Sequence, residues 1–237
     1  MHTKSTDVKN KKAQQGEMTR RALIEAAQTL FGENGYAVTS LDEIVAAAKV
    51  TKGALYHHYG GKQELFCAVY EQVKLEVSDR FATAFIEPDP WKDLCAGCHA
   101  MLDAHLDPSV QRIVLHDAQA VLDADTIRRV DARYGAVVLR GALRRAIRAG
   151  IIRPLPLKPL ALMLTGAILE GCMAIADSDD TVQAREDTGI VLTSLLEGLR
   201  DAGYASPADC PPPQPPDRHR RLGTGSNPGA PPSGSNP

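Results

Sequence analysis

The stretch SLDEIVAAAKVTKGALYHHYGGK, residues 40–62, constrains the fold of this chain more than any other. Ser40 and Glu43 have the spacing of a capping box, in which each side chain bonds the backbone N–H of the other residue. Thr51 is a second N-cap candidate. Apolar residues between the two caps recur at steps of three and four, so the pattern predicts two short helices joined by a tight turn.

The second of these helices, predicted over about 52–59, has an unusual exposed face. Glycine, alanine, tyrosine and histidine stand where a solvated helix normally carries Glu, Lys and Gln. A recognition helix in the major groove contacts DNA mostly with its N-terminal residues, where small side chains permit a close approach and polar ones reach phosphates. The residues predicted to contact DNA here are Thr51, Lys52, Gly53, Ala54, Tyr56, His57, His58 and Lys62, with Arg20 from the preceding helix.

Residues 19–66, TRRALIEAAQTLFGENGYAVTSLDEIVAAAKVTKGALYHHYGGKQELF, resemble the DNA-binding domain of the TetR family of bacterial repressors. The shared features are the first helix, the GY–TS entry and the K-G-x-L-Y-x-H segment that ends at Lys62. Tyr59 and the Gly60-Gly61 pair depart slightly from the family pattern. The resemblance also implies phosphate contacts at Thr39 and Ser40, a C-terminal domain that binds a small-molecule effector, and a palindromic operator.

A pair of short helices can equally be ordinary packing, with tyrosine and histidine half-buried. Two caps, the GALYHHY segment and the spacing to Lys62 agree with one another, and this favours DNA binding. Charge is distributed accordingly: the chain carries a formal net charge of −2, with +3 on residues 1–62 and −5 on the remainder. A positive N-terminal part on an acidic body fits local docking to DNA and argues against a general nucleic-acid coat.

The chain is predicted to be all-α, with a three-helix helix-turn-helix DNA-binding domain followed by a helical ligand-binding and dimerisation domain. Four segments are expected: a disordered basic arm over 1–17, the DNA-binding domain over 18–66, the effector domain over 67–203, and a disordered Pro/Gly/Ser-rich tail over 204–237. Predicted helices run over 18–33, 62–86, 125–149, 159–176 and 180–202, with others starting at Trp91 and Pro108.

The helix predicted over 159–176 is apolar on nearly every side. Such a helix must be buried, and burial of both faces in a chain of this size needs a partner. We therefore expect a homodimer in which the last two helices of each subunit form a four-helix bundle. Its apolar run, residues 160–169, is interrupted at Glu170 and is predicted to be too short to span a bilayer.

Other features place the protein in the cytoplasm. The first 17 residues are polar and contain no signal-peptide pattern. Five cysteines without a dense framework indicate a reducing compartment. We therefore expect no membrane partner and no cofactor.

Aromatic, sulfur-containing and titratable side chains on the C-terminal helices are the candidate effector-binding residues. Each can also be ordinary core, and Glu170 is the most informative because a carboxylate on an apolar helix needs a partner. The candidates are Trp91, Cys95, Cys98, Met101, Leu102, His105, His116, Tyr134, Met163, Glu170 and Met173.

Three further functions stay open at this point. Cys95, Cys98 and His99, with His116, could hold a metal ion, or the thiols could sense oxidation, although both cysteines fall on an apolar stripe. A helical enzyme is the second alternative, but no nucleophile elbow, phosphate loop or H-E-x-x-H motif occurs. An adaptor acting through the proline-rich tail is the third.

Overall fold

The computed structural model describes residues 3–83 and 88–200, with side chains over 13–80 and 88–200. All regular secondary structure in these ranges is helical, apart from one isolated antiparallel bridge between Ile152 and Arg200. The all-α prediction is confirmed. The proline-rich tail lies outside the described residues.

The first helix is much longer than the sequence predicted. α1 runs over Thr3–Asn34, so it begins fifteen residues before the predicted start at Met18, and the expectation of a disordered arm is wrong for residues 3–17. Lys, Gln, Glu and Ala dominate residues 9–17 and have high helix propensity, which the absence of apolar periodicity concealed. Gly35, with φ +87°, ends the helix as predicted.

Three more helices complete the N-terminal part. α2 covers Leu41–Ala47, α3 covers Lys52–His58, and α4 covers Lys62–Thr83. Phe31 of α1 and Phe66 of α4 meet edge to face with ring centroids 5.3 Å apart, and Tyr36 packs on both rings. This aromatic cluster fixes α1 against α4 beneath the α2–α3 pair. Since α4 continues without a break past residue 66, the domain boundary drawn there remains a prediction.

The middle of the chain is divided more finely than expected. α5 covers Pro90–Ala104, and α6 (Pro108–Val110) leads through a π-helical turn (Gln111–Asp117) into α7 (Ala118–Val121). The single helix predicted over 125–149 is wrong: α8 covers Ala124–Arg133 and α9 covers Gly135–Arg148. The break falls at Tyr134, whose carbonyl accepts a hydrogen bond from the Ser78 hydroxyl at 3.1 Å, directly before the poor helix former Gly135.

The last two helices leave an apolar face uncovered in the single chain. α10 covers Leu157–Ala176 and α11 covers Thr181–Glu197. One side of α10 packs against α9, α5 and α11. Large apolar side chains of the two helices are exposed, namely Leu162, Met163, Val182, Ile190, Val191 and Leu195.

α10 also corrects the expectation about membrane spans. The helix has 20 residues, and its most apolar 18-residue window has a mean hydropathy of 1.7, so by length and composition it could cross a bilayer, and the prediction that its apolar run is too short is wrong. Core helices of water-soluble proteins meet the same criterion, and a single helix of this kind is weak evidence for a membrane. Its uncovered side is the feature that needs an explanation.

Candidate functional site

The α2–α3 pair is held by its own side chains. The Ser40 hydroxyl accepts from the Glu43 N–H at 3.2 Å while the Glu43 carboxylate accepts from the Ser40 N–H at 2.7 Å, which confirms the predicted capping box. The Thr51 hydroxyl accepts from the Ala54 N–H at 3.2 Å and starts α3. Between the helices Lys49 adopts φ +55°, a left-handed conformation that L-residues rarely occupy.

One face of α3 is open to solvent. Lys52, Gly53, Tyr56 and His57 are exposed, and Tyr56 keeps 53% of its surface accessible. Leu55 is fully buried on the opposite side. A Cβ placed on Gly53 would have nothing nearer than the Thr51 hydroxyl at 4.0 Å, so the glycine opens the surface rather than fitting a neighbour. This face is shallow enough for the backbone of α3 to approach a flat partner closely.

Positive side chains flank that face. Lys52 pairs with Asp42 at 2.8 Å, and Arg20 pairs with Glu17 at 2.9 Å, both on exposed surface. Such surface pairs contribute only about 0–1 kcal/mol, so either cation can exchange its carboxylate for a phosphate at small cost. Lys62 donates to the Ala37 carbonyl at 3.3 Å and lies 4.2 Å from the centroid of the Tyr36 ring, which orients its ammonium beside α3.

A second polar cluster is buried where α4 meets α8. Lys74 is only 3% exposed, and its ammonium lies 2.8 Å from Asp131 Oδ1, which also accepts from the Tyr70 hydroxyl at 3.3 Å. Burial and the Asp131 carboxylate raise the pKa of Tyr70, so its hydroxyl stays protonated. A cavity of about 140 Å³ adjoins the cluster and is also lined by Val114, Leu115, Glu170 and Met173.

Both parts of the chain match known protein families. The family described as "Bacterial regulatory proteins, tetR family" matches residues 23–69, and "Tetracyclin repressor-like, C-terminal domain" matches residues 91–199. The probable HTH-type transcriptional regulator ArpR of Pseudomonas putida is 30% identical over 79% of this chain and 97% of its own length. The chain belongs to the TetR family.

Two further relatives agree with that placement. A crystal structure of a TetR-family regulator from Pectobacterium atrosepticum superposes with a TM-score of 0.70 and 34% identity, covering 79% of this chain and 96% of that one. The Transposon Tn10 TetC protein of Escherichia coli is 29% identical over 53% of this chain, but the match spans only 64% of the TetC length. Membership of the TetR family thus makes this chain a transcriptional regulator, and the names of these relatives describe no enzyme.

The structure disagrees with one predicted phosphate contact of this TetR-family domain. Thr39 is 2% exposed, and its hydroxyl lies 2.8 Å from the Gly35 carbonyl and 3.2 Å from the Leu30 carbonyl. The side chain therefore locks the α1–α2 corner, and the prediction that it contacts phosphate is wrong. Ser40 is exposed but committed to the capping box, whereas Ala54 and His58 are half-buried at the edge of the open face.

The predicted effector residues do not form one site. Cys98, Met101, Leu102 and His105 are buried in the core, and burial lowers the pKa of His105 to about 4. Glu170 and Met173 line the cavity beside the Lys74 cluster. The remaining candidates make other contacts: Trp91 lies 4.9 Å from the Arg200 guanidinium, Tyr134 lies 5.3 Å from that of Arg133, and His116 and Met163 are exposed.

Cys95, Cys98 and His99 are not arranged as the metal-sensor and thiol-sensor alternatives require. Burial raises the pKa of Cys95 to about 11 and that of Cys98 to about 12, so both thiols stay protonated and unreactive near neutral pH. His99 instead bonds the Thr193 hydroxyl at 2.9 Å. Among the described residues, no group of three His, Cys, Asp or Glu side chains is placed to hold a metal ion.

Sequence reasoning missed the Lys74–Asp131–Tyr70 cluster. The signal available was Lys74 itself, which stands in α4 between Val73 and Val77 at the spacing of the buried residues. A lysine at such a position needs a partner, because an unpaired buried charge is too costly. Its partner lies on another helix, and nothing local in the sequence identifies it.

The segment formed by α6, the π-helical turn and α7 joins the cavity to the DNA-binding part. On one side, Val114 and Leu115 line the cavity. On the other, the Asp117 carboxylate accepts from the Tyr36 N–H at 2.7 Å, and the Val121 carbonyl accepts from the Gln63 amide at 2.7 Å. Arg112 donates to the Gly32 and Glu33 carbonyls at the end of α1. A change in this segment would therefore reach the α1–α2 corner directly.

Proposed function

We propose that this chain is a homodimeric, ligand-responsive repressor that binds a palindromic operator and is released by a small molecule. The observation that carries the proposal is the open face of α3, where Lys52, Gly53, Tyr56 and His57 stand exposed on a rigidly capped helix pair. Because DNA is its partner, the protein is expected to act in the cytoplasm. The proposed domain roles are DNA binding up to residue 66 and effector binding with dimerisation beyond it.

The uncovered sides of α10 and α11 support the homodimer. Five large apolar side chains are exposed there apart from Leu162, which faces α8 and α9, and an apolar patch of this kind on a soluble protein usually marks an interface. Ala167 and Ala174 leave the surface of α10 smooth, so a second helix pair can approach closely. Twofold symmetry through this face gives two recognition helices for the two halves of a palindrome.

The cavity and the segment beside it support control by a ligand. An effector that expands the cavity displaces Val114 and Leu115, which belong to the π-helical turn that also carries Arg112 and Asp117. π-helical turns often occur at functional sites because they are less regular than the α-helix around them. The effector needs only to prefer the conformation in which the two recognition helices are badly spaced for the operator.

Fluorescence anisotropy tests the DNA-binding face. Duplexes that tile the DNA upstream of the chain's own gene supply the probe, and affinity should fall steeply with salt as condensed cations are released. We expect Lys52→Ala and Tyr56→Ala to weaken binding to the selected duplex by about tenfold each, the effect of losing roughly 1.4 kcal/mol. Lys92→Ala removes an exposed lysine of α5 and is the matched control.

Tight binding that neither α3 substitution weakens would reject α3 as the recognition helix. Absence of binding to every duplex, at low salt as well as high, would reject the repressor and favour the adaptor or enzyme alternatives.

A further inference from the structure

A surface groove lies between α8, α9 and α10, next to the cavity that adjoins the Lys74 cluster. The groove has a volume of about 420 Å³, within the range of small-molecule sites. It shares Asp131, Gly166 and Leu169 with the lining of that cavity, so these residues separate the two spaces. A molecule in the groove would therefore lie beside Asp131, the partner of Lys74.

The walls of the groove are chiefly apolar. Ala132 and Ala136 face it from the α8–α9 side, and Ala161, Leu162 and Leu169 face it from α10. Small and aliphatic side chains of this kind supply no hydrogen bonds, and they favour an apolar body by the area they remove from water. The greater part of any ligand that fits is therefore hydrocarbon.

The charged residues of the groove are mostly positive. Arg128, Arg140 and Lys158 line it, while its one carboxylate, Asp131, is already neutralised by Lys74 at 2.8 Å. Arg128 is paired with Asp125, but Arg140 and Lys158 have no carboxylate within ion-pair distance among residues 13–80 and 88–200. Two uncompensated cations beside apolar walls attract an anion and repel a cation.

Thr165 contributes to the wall of the groove through its carbon atoms rather than its hydroxyl oxygen. The residue is 6% exposed, it lines the groove, and its hydroxyl oxygen is buried without a hydrogen-bond partner among the described residues. Buried hydroxyls are normally paired, because an unmade bond leaves the cost of desolvation uncompensated. Because that oxygen is inaccessible even from the empty groove, it is not offered to a ligand there, and the polar contacts of the groove come from its cations.

We propose that the groove binds an amphipathic organic carboxylate, with the apolar body against the alanine and leucine walls and the anionic group between Arg140 and Lys158. This assignment rests on the proposed function in one respect only, that the carboxylate is the effector which releases DNA. Binding itself is independent of that role.

Three probes with one hydrocarbon chain and different head groups test the proposal: decanoate, decanol and decylammonium. Isothermal titration calorimetry of the full chain without DNA is expected to show decanoate binding about tenfold more tightly than either of the others, as expected for a charge-assisted hydrogen bond. Arg140→Gln and Lys158→Gln should each remove most of this preference. Arg144→Gln, an exposed arginine of the same helix α9 that does not line the groove, should leave it intact.

Equal affinity for the three probes, tightest binding of decylammonium, or no binding of decanoate would overturn the proposed ligand class.

Anisotropy with the selected duplex distinguishes this proposal from the proposed function. Decanoate that binds through Arg140 but leaves the protein on DNA would uphold the ligand class and reject its role as the effector. Release by decanoate that persists at full strength in Arg140→Gln and Lys158→Gln would reject the site while the repressor remains supported.

Discussion

The helix-turn-helix segment, residues 40–62, and the part of the chain beyond residue 66 both have local helix caps, but only the second also has side-chain hydrogen bonds between residues more than fifty positions apart. In the first, Ser40 pairs with Glu43 and Thr51 with Ala54, each three residues apart. In the second, Tyr70 pairs with Asp131 and Ser78 with the Tyr134 carbonyl, each more than fifty residues apart. The local bonds keep the α2–α3 pair rigid while its outer face stays free. The long-range bonds join α4 to α8 and to the helix break at Tyr134.

The two regions also differ in what they leave unfinished. The open face of α3 is polar and needs no covering, but α10 and α11 expose six large apolar side chains. Buried polar atoms without a hydrogen-bond partner among the described residues occur in both parts: the Tyr59 hydroxyl in the first, and atoms of Asp93, His105 and Thr165 in the second. The uncovered apolar face is therefore the feature that distinguishes the C-terminal part, and it is the reason for the proposed second subunit.

Breaking the apolar face should have the largest effect. Val191→Glu places a charge on the uncovered side of α11, where Val191 is 58% exposed in the single chain. We expect the native mass to fall from twice the 25.5 kDa chain to one chain, and operator affinity to fall roughly a hundredfold as the two half-sites lose their linkage. Light scattering and anisotropy measure the two results.

Val137→Glu is the matched control, because Val137 is a similarly exposed valine on α9. This variant is expected to stay dimeric and to bind DNA normally. A Val191→Glu protein that remains dimeric would move the interface elsewhere and leave the exposed face of α10 and α11 without a partner.

Lys74→Ala should lower the folding stability of the chain strongly, because it breaks a buried ion pair. Removing the ammonium leaves the Asp131 carboxylate with its charge uncompensated, and breaking a buried pair in this way typically lowers the free energy of unfolding by about 3–5 kcal/mol. Urea denaturation measures the change. A triple variant removes the whole cluster by combining Lys74→Met, Asp131→Leu and Tyr70→Phe. We expect its free energy of unfolding to lie within about 1 kcal/mol of that of the wild type. Equal losses in both variants would contradict this account.

His105 should make the C-terminal part sensitive to acid. Burial, the first cause, holds its pKa at about 4 in the folded chain, while the unfolded chain has the ordinary value of 6.5. The depressed folded pKa means that the unfolded state binds the proton first as pH falls. The stability that neutral His105 contributes is therefore present above pH 6.5 and is lost between pH 6.5 and about 4, by roughly 3 kcal/mol in total.

Urea denaturation across that pH range measures the loss, and His105→Gln supplies the reference because it cannot titrate. The difference between the two pH profiles isolates His105 from the carboxylates that also titrate in acid. Parallel profiles would show that the pKa of His105 is the same in the folded and the unfolded chain.

The same division between local and distant pairing explains what the sequence could predict. Both caps of the helix-turn-helix, the glycine at the end of α1 and the open residues of α3 were predicted, because each depends on neighbours within a few positions. The prediction failed at Thr39. Its polar side chain was expected to contact phosphate, but its hydroxyl bonds the Gly35 and Leu30 carbonyls instead.

Beyond residue 66, helix existence could be predicted but the site could not. Apolar periodicity marks the helices, yet the break at Tyr134 depends on Ser78 from another helix. Cys95, Cys98 and His105 are chemically distinctive in the sequence, but Cys98 and His105 are buried in the core and Cys95 is partly buried against it. The polar cluster that adjoins the cavity is made by Lys74 and Asp131, and only the packing of α4 on α8 brings them together.

The smallest expected effect concerns the one strained position in the locally paired region. Lys49 has φ +55°, which costs an L-residue roughly 1–2 kcal/mol, whereas glycine adopts it freely at the expense of about 0.5–1 kcal/mol of extra chain entropy. Lys49→Gly is therefore expected to raise the free energy of unfolding by about 0.5–1 kcal/mol in urea denaturation. Ala48→Gly is the control: Ala48 has φ −73°, so glycine there brings only the entropic cost and should destabilise. If Lys49→Gly also destabilised the protein, the Lys49 side chain would stabilise the turn by more than its backbone strain costs. The local contacts that hold this segment together would then include Lys49, which belongs to neither of the two helix caps.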